Sequence, residues 1–278
     1  MYLLLHCIIF CFIFVKNYLM IQTIKTKSYK IFKEVPKSNF VSVTDIVNYF
    51  KGETDFIKIA EMCSKNTNHE MFGISVENII DEWKQRGDVG KVRGKILDSY
   101  IANKLHNIPF TLPSDATPLD YGCKIMQDKI ESFNMLYDDV ILANDMKPLS
   151  NELRINYKIG NYGISARLDE LFTVGNKLVL VDYKNTEKIR VKGFEKYKQP
   201  LDIIYKCEYN EYFLQLYIYK FILKFGYGVH IDACRVFQIM ANGYEILKPK
   251  QFIYDDYMIG NCINVAFNEI INNRKNEK

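Results

Sequence analysis

The chain has 278 residues, of which 48% are apolar, so it is long enough to bury a substantial core as one domain or as a domain with an insertion. Acidic and basic residues are mixed, and the net charge of +4 permits local binding of a polyanion without demonstrating it. The seven cysteines are scattered and include no Cys-x-x-Cys pair, which argues against a zinc site or a disulfide framework. This cysteine pattern indicates an intracellular, reducing compartment.

The first predicted segment is the apolar stretch of residues 1–19. Leu3 to Val15 is interrupted only by His6, and basic residues follow from Lys16 onward. The stretch is too short for a standard membrane span, and it lacks the basic start and the cleavage site of a secretory signal. We expect either that translation begins at Met20 or that residues 1–19 are a short anchor or targeting segment. Residues 20–278 are then expected to form a single domain.

The remaining elements alternate in type along the chain. A strand or turn around Val41 leads into helices that end near Leu105, and a proline-containing loop follows at residues 107–122. Predicted helices cover residues 89–105, 124–142, 209–225 and 254–272. Predicted strands cover residues 152–159, 163–174, 177–184 and 230–240. This order indicates an α/β fold with a mixed sheet flanked by helices.

Two aspartates and a lysine lie on one predicted β-hairpin. The dipeptide Gly175-Asn176 is a signal for a two-residue turn. With that turn, Asp169 lies directly opposite Asp182, and Arg167 lies opposite Lys184. Cross-strand partners have Cβ atoms about 5 Å apart, so the two acids repel unless a cation lies between them. Carboxylate oxygens are the ligands that Mg²⁺ prefers, which makes a divalent ion the favoured explanation.

Two alternatives to a metal site stay open for this hairpin. The acids could be solvated residues on the polar face of the hairpin, and a bulge would shift the register by one residue. Against solvation, residues 178–181 are all apolar, which is typical of a strand covered on both faces. Asp182 and Lys184 would then end a buried strand, where a charge is costly unless it is paired or bound to metal.

The order of an acid, a hairpin turn and Asp-x-Lys resembles the PD-(D/E)XK nucleases, and more narrowly their RecB-like exonuclease branch. In that branch a Gln-x-x-x-Tyr helix follows, and Gln215 and Tyr219 match it. An earlier helix after a Trp-containing segment is matched by Trp83 and by the stretch 94–98, and an opening Ser-Val-Thr-x-Ile segment is matched by residues 42–46. The resemblance covers residues 41–225. It implies a restriction-endonuclease-like mixed sheet in a nuclease domain spanning residues 20–278.

The resemblance also implies a set of site residues. Catalytic roles would belong to Asp169, Asp182 and Lys184, with the lysine positioning or activating water. One or two Mg²⁺ or Mn²⁺ ions would be held by Asp169, Asp182, the backbone carbonyl of Tyr183 and Asp98. Asp98 stands where the family usually has a histidine, and it could instead turn outward to water. Glu152 is a weaker candidate acid. The family's iron–sulfur cluster needs closely spaced cysteines, so none is expected here.

Nucleic-acid contacts are predicted on two parts of the chain. Gln215 and Tyr219 are four residues apart and so share one helix face, although Tyr219 could simply pack in the core. Arg167 is a candidate for contacting phosphate. Residues 184–198 interleave basic and aromatic side chains, among them Arg190 and Lys192, which suits phosphates and unpaired bases. A charge run of this kind is also typical of a solvated face.

These features predict a Mg²⁺- or Mn²⁺-dependent DNA exonuclease in replication, recombination or repair, similar to phage recombination exonucleases and to the mitochondrial genome maintenance exonuclease. Its partners would be linear DNA, single- or double-stranded, and a recombination or replication protein, with no stable membrane partner. A mitochondrial location, or the host cytoplasm for a viral protein, would fit. An endonuclease of the same superfamily, and an inactive nuclease-fold module that binds DNA or protein, are the alternatives. Cleavage polarity and the choice of DNA over RNA stay open.

Overall fold

A computed structural model describes the backbone of residues 2–250 and 254–276, and the side chains of residues 15–250 and 254–276. The helices are α1 (Tyr2–Glu34), α2 (Val43–Lys51), α3 (Phe56–Lys65), α4 (Val76–His106), α5 (Pro118–Gly122), α6 (Lys124–Leu136, continued by a π-helical turn at Tyr137–Leu142), α7 (Glu208–Tyr227) and α8 (Asp256–Asn276). The strands are β1 (Phe40–Ser42), β2 (Lys147–Ile159), β3 (Tyr162–Val174), β4 (Lys177–Asn185), β5 (Ala233–Met240) and β6 (Gly243–Leu247). The predicted α/β class, a mixed sheet flanked by helices, is confirmed.

Strand β3 pairs with β2 along one edge and with both β1 and β4 along the opposite edge. Antiparallel β2 follows the first edge over almost the whole length of β3. The remaining edge is shared, because parallel β1 pairs with residues 163–165 and antiparallel β4 pairs with residues 170–174. Among the described residues, positions 166–169 therefore have no strand partner on this edge. We call this gap the notch. Beyond it the sheet continues with β5 parallel to β4 and β6 antiparallel to β5.

The predicted hairpin forms with the predicted turn. Val174 pairs with Lys177, and the register holds as far as Glu170 and Val181. The ladder then stops, so Asp169 and Asp182 are not the ladder pair that was expected, and neither are Arg167 and Lys184. The reason is the notch, where β4 turns away from β3 and makes room between itself and β1.

Helices cover both faces of the sheet. One core packs α1, α2, α7 and α8 on side chains that include Leu168 and Leu180. The other core packs α4 and α6 on side chains that include Phe172, Val181 and Phe237. Strand β4 contributes alternately to the two cores, which explains its apolar run. Strand β6 was not predicted, and α4 begins at Val76 rather than near residue 89.

Helix α1 crosses the expected boundary between residues 19 and 20 without a break. Its buried side chains Ile21, Ile24, Ser28 and Ile31 recur at three- and four-residue spacing, as expected for a helix that packs one face on a domain. The side chains of residues 1–14, which carry most of the apolar stretch, lie outside the described residues, and a start at Met20 stays a prediction. No helix in the described part of the chain has an apolar stretch that could cross a bilayer.

Candidate active site

The notch brings the predicted acids together. Asp169 ends the unpaired stretch of β3, and Asp182 lies on β4 just beyond the last ladder pair. The Tyr183 backbone N–H donates a hydrogen bond to Asp169 Oδ2 at 3.1 Å, so a side chain replaces the next ladder bond. The N–H and C=O groups of a strand residue point to the same edge, and the Tyr183 carbonyl is therefore directed toward the notch as well.

A backbone irregularity re-aims Asp169. Leu168 and Leu171 lie three positions apart yet pack in the same core, so the two-residue alternation of β3 breaks between them. On β2 the residue between Asn151 and Leu153, opposite Asp169, is Glu152, with a left-handed φ of 47°. Such a conformation costs of order 1–3 kcal/mol for a residue with a side chain and persists where its surroundings enforce it. Irregularities of this kind commonly redirect a side chain next to a site.

The two carboxylates share one cation. Asp182 is only 2% exposed, and its Oδ2 lies 2.6 Å from Lys184 Nζ. Lys184 is the only cation this close to Oδ2 among the described residues, and no other hydrogen-bond donor there reaches this buried oxygen. Burial, and then the charge of Asp182, raise the pKa of Asp169 well above its usual range. Burial alone would lower the pKa of Lys184, but the two carboxylates raise it above its ordinary value.

Helix α7 supplies the groups next to Lys184. The Tyr212 ring centre lies 4.7 Å from Lys184 Nζ. Gln215 Nε2 donates a hydrogen bond to the Tyr219 hydroxyl, and both side chains line the cleft described below. Tyr219 is buried, and burial raises its pKa to about 12. The structure thus combines the two expectations for Tyr219, since it packs in the core and also reaches the site.

The donor set of the notch fits a hard divalent cation. It offers two adjacent carboxylates, which share the single ammonium of Lys184, and a backbone carbonyl directed to the same gap. Mg²⁺ is often held by one or two carboxylates while it keeps several waters. Within the described residues, no three Asp, Glu, His or Cys side chains converge on one point. Any ion in the notch would therefore depend on the carbonyl and on water in addition to Asp169 and Asp182.

Asp98 lies near this pair but outside it. Asp98 is on α4, and its side chain is exposed to solvent. The protein packed around it, and then the charge of Glu152, nevertheless raise its pKa to about 6. Asp182, Arg167 and Lys184 also influence this pKa, so Asp98 faces the same charged region. The position next to Gly94 is open, since a Cβ atom there would meet nothing within 4 Å. A direct ligand role for Asp98 stays a prediction.

A cleft of about 960 Å³ extends from the notch to α1. Asp169, Asp182 and Lys184 close one end of it, and β2 and β3 form its floor. The first turn of α2 and the side chains of α1 form its walls. Arg167 lines the floor with its guanidinium 3.2 Å from Glu152. Arg190 and Lys192 do not line the cleft, and Arg190 pairs instead with Glu208 at 3.0 Å.

Sequence reasoning missed Arg154. It lies directly opposite Arg167 on the antiparallel β2–β3 ladder and lines the same cleft. The signal for this pair was present in the sequence. The dipeptide Gly160-Asn161 is a two-residue turn of the same kind as Gly175-Asn176, and counting back from it pairs residue 159 with 162 and residue 154 with 167.

No model of a known protein family matches the sequence, and no curated protein matches it. Three solved structures are similar at low identity. "Crystal structure of SSO0001" is 12% identical, with 88% of this chain and 82% of that chain covered and a TM-score of 0.34. A "Putative exonuclease" from Eubacterium rectale is 9% identical, with 84% and 79% covered and a TM-score of 0.42. Protein VC1899 from Vibrio cholerae is 12% identical, with 79% and 47% covered and a TM-score of 0.23. Similarities of this size do not decide the function.

Proposed function

We propose that the chain is a metal-dependent nuclease that hydrolyses phosphodiester bonds, and that it acts as an exonuclease on DNA. The observation that carries this proposal is the notch, where two carboxylates and a lysine are held together at the end of a large cleft. Buried like charges are costly, so a site that keeps them favours a bound cation. The Asp-x-Lys spacing on a hairpin strand, resembling the PD-(D/E)XK nucleases, supports the same reading.

Each group has a distinct task in this proposal. Asp169, Asp182 and the Tyr183 carbonyl would hold Mg²⁺ or Mn²⁺, which when bound supplies charge neutralisation and lowers the pKa of water. Lys184 stays cationic at neutral pH because its pKa is raised. It therefore donates hydrogen bonds to the attacking water or to the phosphate, and it stabilises the negative charge that develops there. The Tyr212 ring lies against the Lys184 ammonium, and Gln215, which bonds to Tyr219, would contact the substrate strand in the cleft.

A cleavage assay tests this proposal. The full chain is incubated with end-labelled linear DNA and with circular DNA, in Mg²⁺, Mn²⁺ or EDTA. We expect metal-dependent loss of linear DNA, and a fall in rate of about 10²–10⁴-fold in Lys184→Ala, because the positioned cation is lost. Lys58→Ala, which removes an exposed lysine on α3, serves as the matched control. Cleavage of circles would indicate an endonuclease. A folded protein that binds DNA but cleaves nothing would contradict the enzymatic proposal.

A further inference from the structure

One face of α1 forms an aromatic wall of the cleft. Lys25, Ser28, Tyr29 and Phe32 line the cleft, and their spacing of three and four residues places them on one side of the helix. Ser28 fixes this face, since its Oγ accepts a hydrogen bond from Asn156 Nδ2 at 2.9 Å. Tyr29 and Phe32 are 62% and 40% exposed, so each ring keeps free surface, although Phe32 also packs on Phe40 with ring centres 5.9 Å apart and Lys33 lies over Tyr29.

The floor of the cleft carries a repulsive pair. Arg154 and Arg167 are direct cross-strand partners, and like charges in such positions destabilise a sheet. Glu152 pairs with Arg167, whereas no carboxylate lies within 4 Å of the Arg154 guanidinium among the described residues. Lys25 and Lys37 line the cleft too, and among the described residues Glu152 is the one acid that lines it outside the notch. This part of the cleft is therefore positively charged and suited to an anion.

We infer that the cleft binds an unpaired segment of a nucleic acid strand, with phosphates at the Arg154–Arg167 pair and bases against Tyr29 and Phe32. The inference rests on the proposed function and names the form of its substrate. Arginines bind phosphate oxygens, and aromatic rings stack on bases whose faces are free. In a duplex the bases already cover one another, and the two open rings of α1 would find no base to stack on.

The dimensions of the cleft agree with a strand rather than with a single phosphate. At about 960 Å³, its volume lies near the upper end of the ~300–1,000 Å³ that is typical of ligand pockets. Asp182, at the notch end, is 2% exposed, so a phosphate has to enter the cleft to approach it. A strand separated from its complement can do so more readily than an intact duplex, because it is narrower.

A binding assay in EDTA tests the inference without cleavage. Fluorescence anisotropy measures the affinity of the full chain for a short labelled oligothymidine and for an abasic strand of the same length. In Tyr29→Ala/Phe32→Ala we expect the affinity for oligothymidine to fall at least about fivefold for each ring. Affinity for the abasic strand should not change, which also shows that the variant is folded. Arg154→Gln should weaken binding to both strands and reduce the slope of log affinity against log salt by about 0.7.

Control variants separate the cleft from other surfaces. Tyr257→Ala removes a ring on α8 that is 84% exposed and lies outside the cleft, and it should bind like the unsubstituted chain. Phe194→Ala removes the fully exposed ring of the basic segment 184–198. Unchanged oligothymidine binding in the α1 double variant, with a loss in Phe194→Ala, would overturn the inference in favour of that segment.

The two proposals fail in different ways. A protein that digests duplex ends but shows no affinity for oligothymidine would overturn the inference and leave the nuclease proposal intact. Ring-dependent binding of oligothymidine by a protein that cleaves no DNA in Mg²⁺ or Mn²⁺ would support the cleft assignment and refute the nuclease.

Discussion

The substitution Asp182→Asn examines the notch most directly. In the unsubstituted chain two carboxylates face one ammonium there, a formal charge of −2 + 1 = −1 when all are ionised. The amide brings this sum to −1 + 1 = 0 and keeps nearly the same shape. Without metal we expect the variant to melt at the same temperature as the unsubstituted chain or higher, because the repulsion with Asp169 is gone. With metal we expect the variant to lose the stabilisation that the ion provides.

The size of the metal effect follows from mass action. An ion present at one hundred times its dissociation constant stabilises the folded state by about 2.7 kcal/mol. For a domain of roughly this length, each kcal/mol raises the melting temperature by about 2–4 °C, so a shift of about 5–10 °C is expected. The raised pKa of Asp169 adds a pH dependence. Its proton stabilises the metal-free fold at low pH and must leave before metal binds, so the shift should grow as the pH rises.

Differential scanning fluorimetry of the full chain in EDTA and in Mn²⁺, at pH 6 and pH 8, measures both effects. Asp202→Asn is the matched control, since it makes the same chemical change at an exposed position outside the cleft. The control should show the full metal shift, larger at pH 8. An equal Mn²⁺ shift in Asp182→Asn and in the control would refute the argument, because the ion would then be held elsewhere.

Substitutions at four further positions test other parts of the structure. Asp98→Asn should raise the free energy of urea unfolding in EDTA at pH 7.5 but not at pH 4. The pKa of Asp98 is raised to about 6, so its ionisation destabilises the fold at pH 7.5, and asparagine removes that cost. Because the side chain has access to solvent, the gain is limited to about 1 kcal/mol. Gly193→Ala should lower the melting temperature, because the added Cβ atom would lie 1.8 Å from the Lys206 carbonyl oxygen. Gly90→Ala, in an open part of α4, should instead raise the free energy of unfolding by up to about 1 kcal/mol. Glu152→Gly should be more stable than Glu152→Ala by about 1 kcal/mol, because only alanine keeps a Cβ atom in the left-handed conformation; equal stabilities would mean that the backbone relaxes there.

Local patterns in the sequence were enough to predict the centre of the site. The Gly175-Asn176 turn predicted the register of β3 and β4 as far as Glu170 and Val181, and Asp169 and Asp182 are the next residues beyond that pair. The apolar run of β4 correctly indicated a strand buried on both faces. These features depend on residues close in the chain, so a single sequence contains them.

The features that shape the notch depend on residues far apart in the chain. Strand β1 lies more than a hundred residues before β3, and no local signal indicates that it pairs with residues 163–165 on one edge of β3. The left-handed conformation of Glu152 is imposed by the surrounding sheet, since glutamate has no preference for it. The α1 wall was missed for a related reason, because its face at residues 25–32 is held against the cleft by a distant residue, Asn156 of β2, through Ser28.

The turns at the two ends of β3 give the protein fixed attachment points. Gly160 and Gly175 both have left-handed φ angles and open surroundings, so each turn is a rigid, solvent-facing corner. Asp169 lies six residues from one corner and nine from the other, which at about 3.3 Å per residue corresponds to roughly 20 and 30 Å. A dye or a short epitope inserted at either corner would stay clear of the cleft while moving rigidly with its floor. Energy transfer between a dye at each corner and a labelled end of the strand would give two distances. Together they would locate the bound strand end along the cleft.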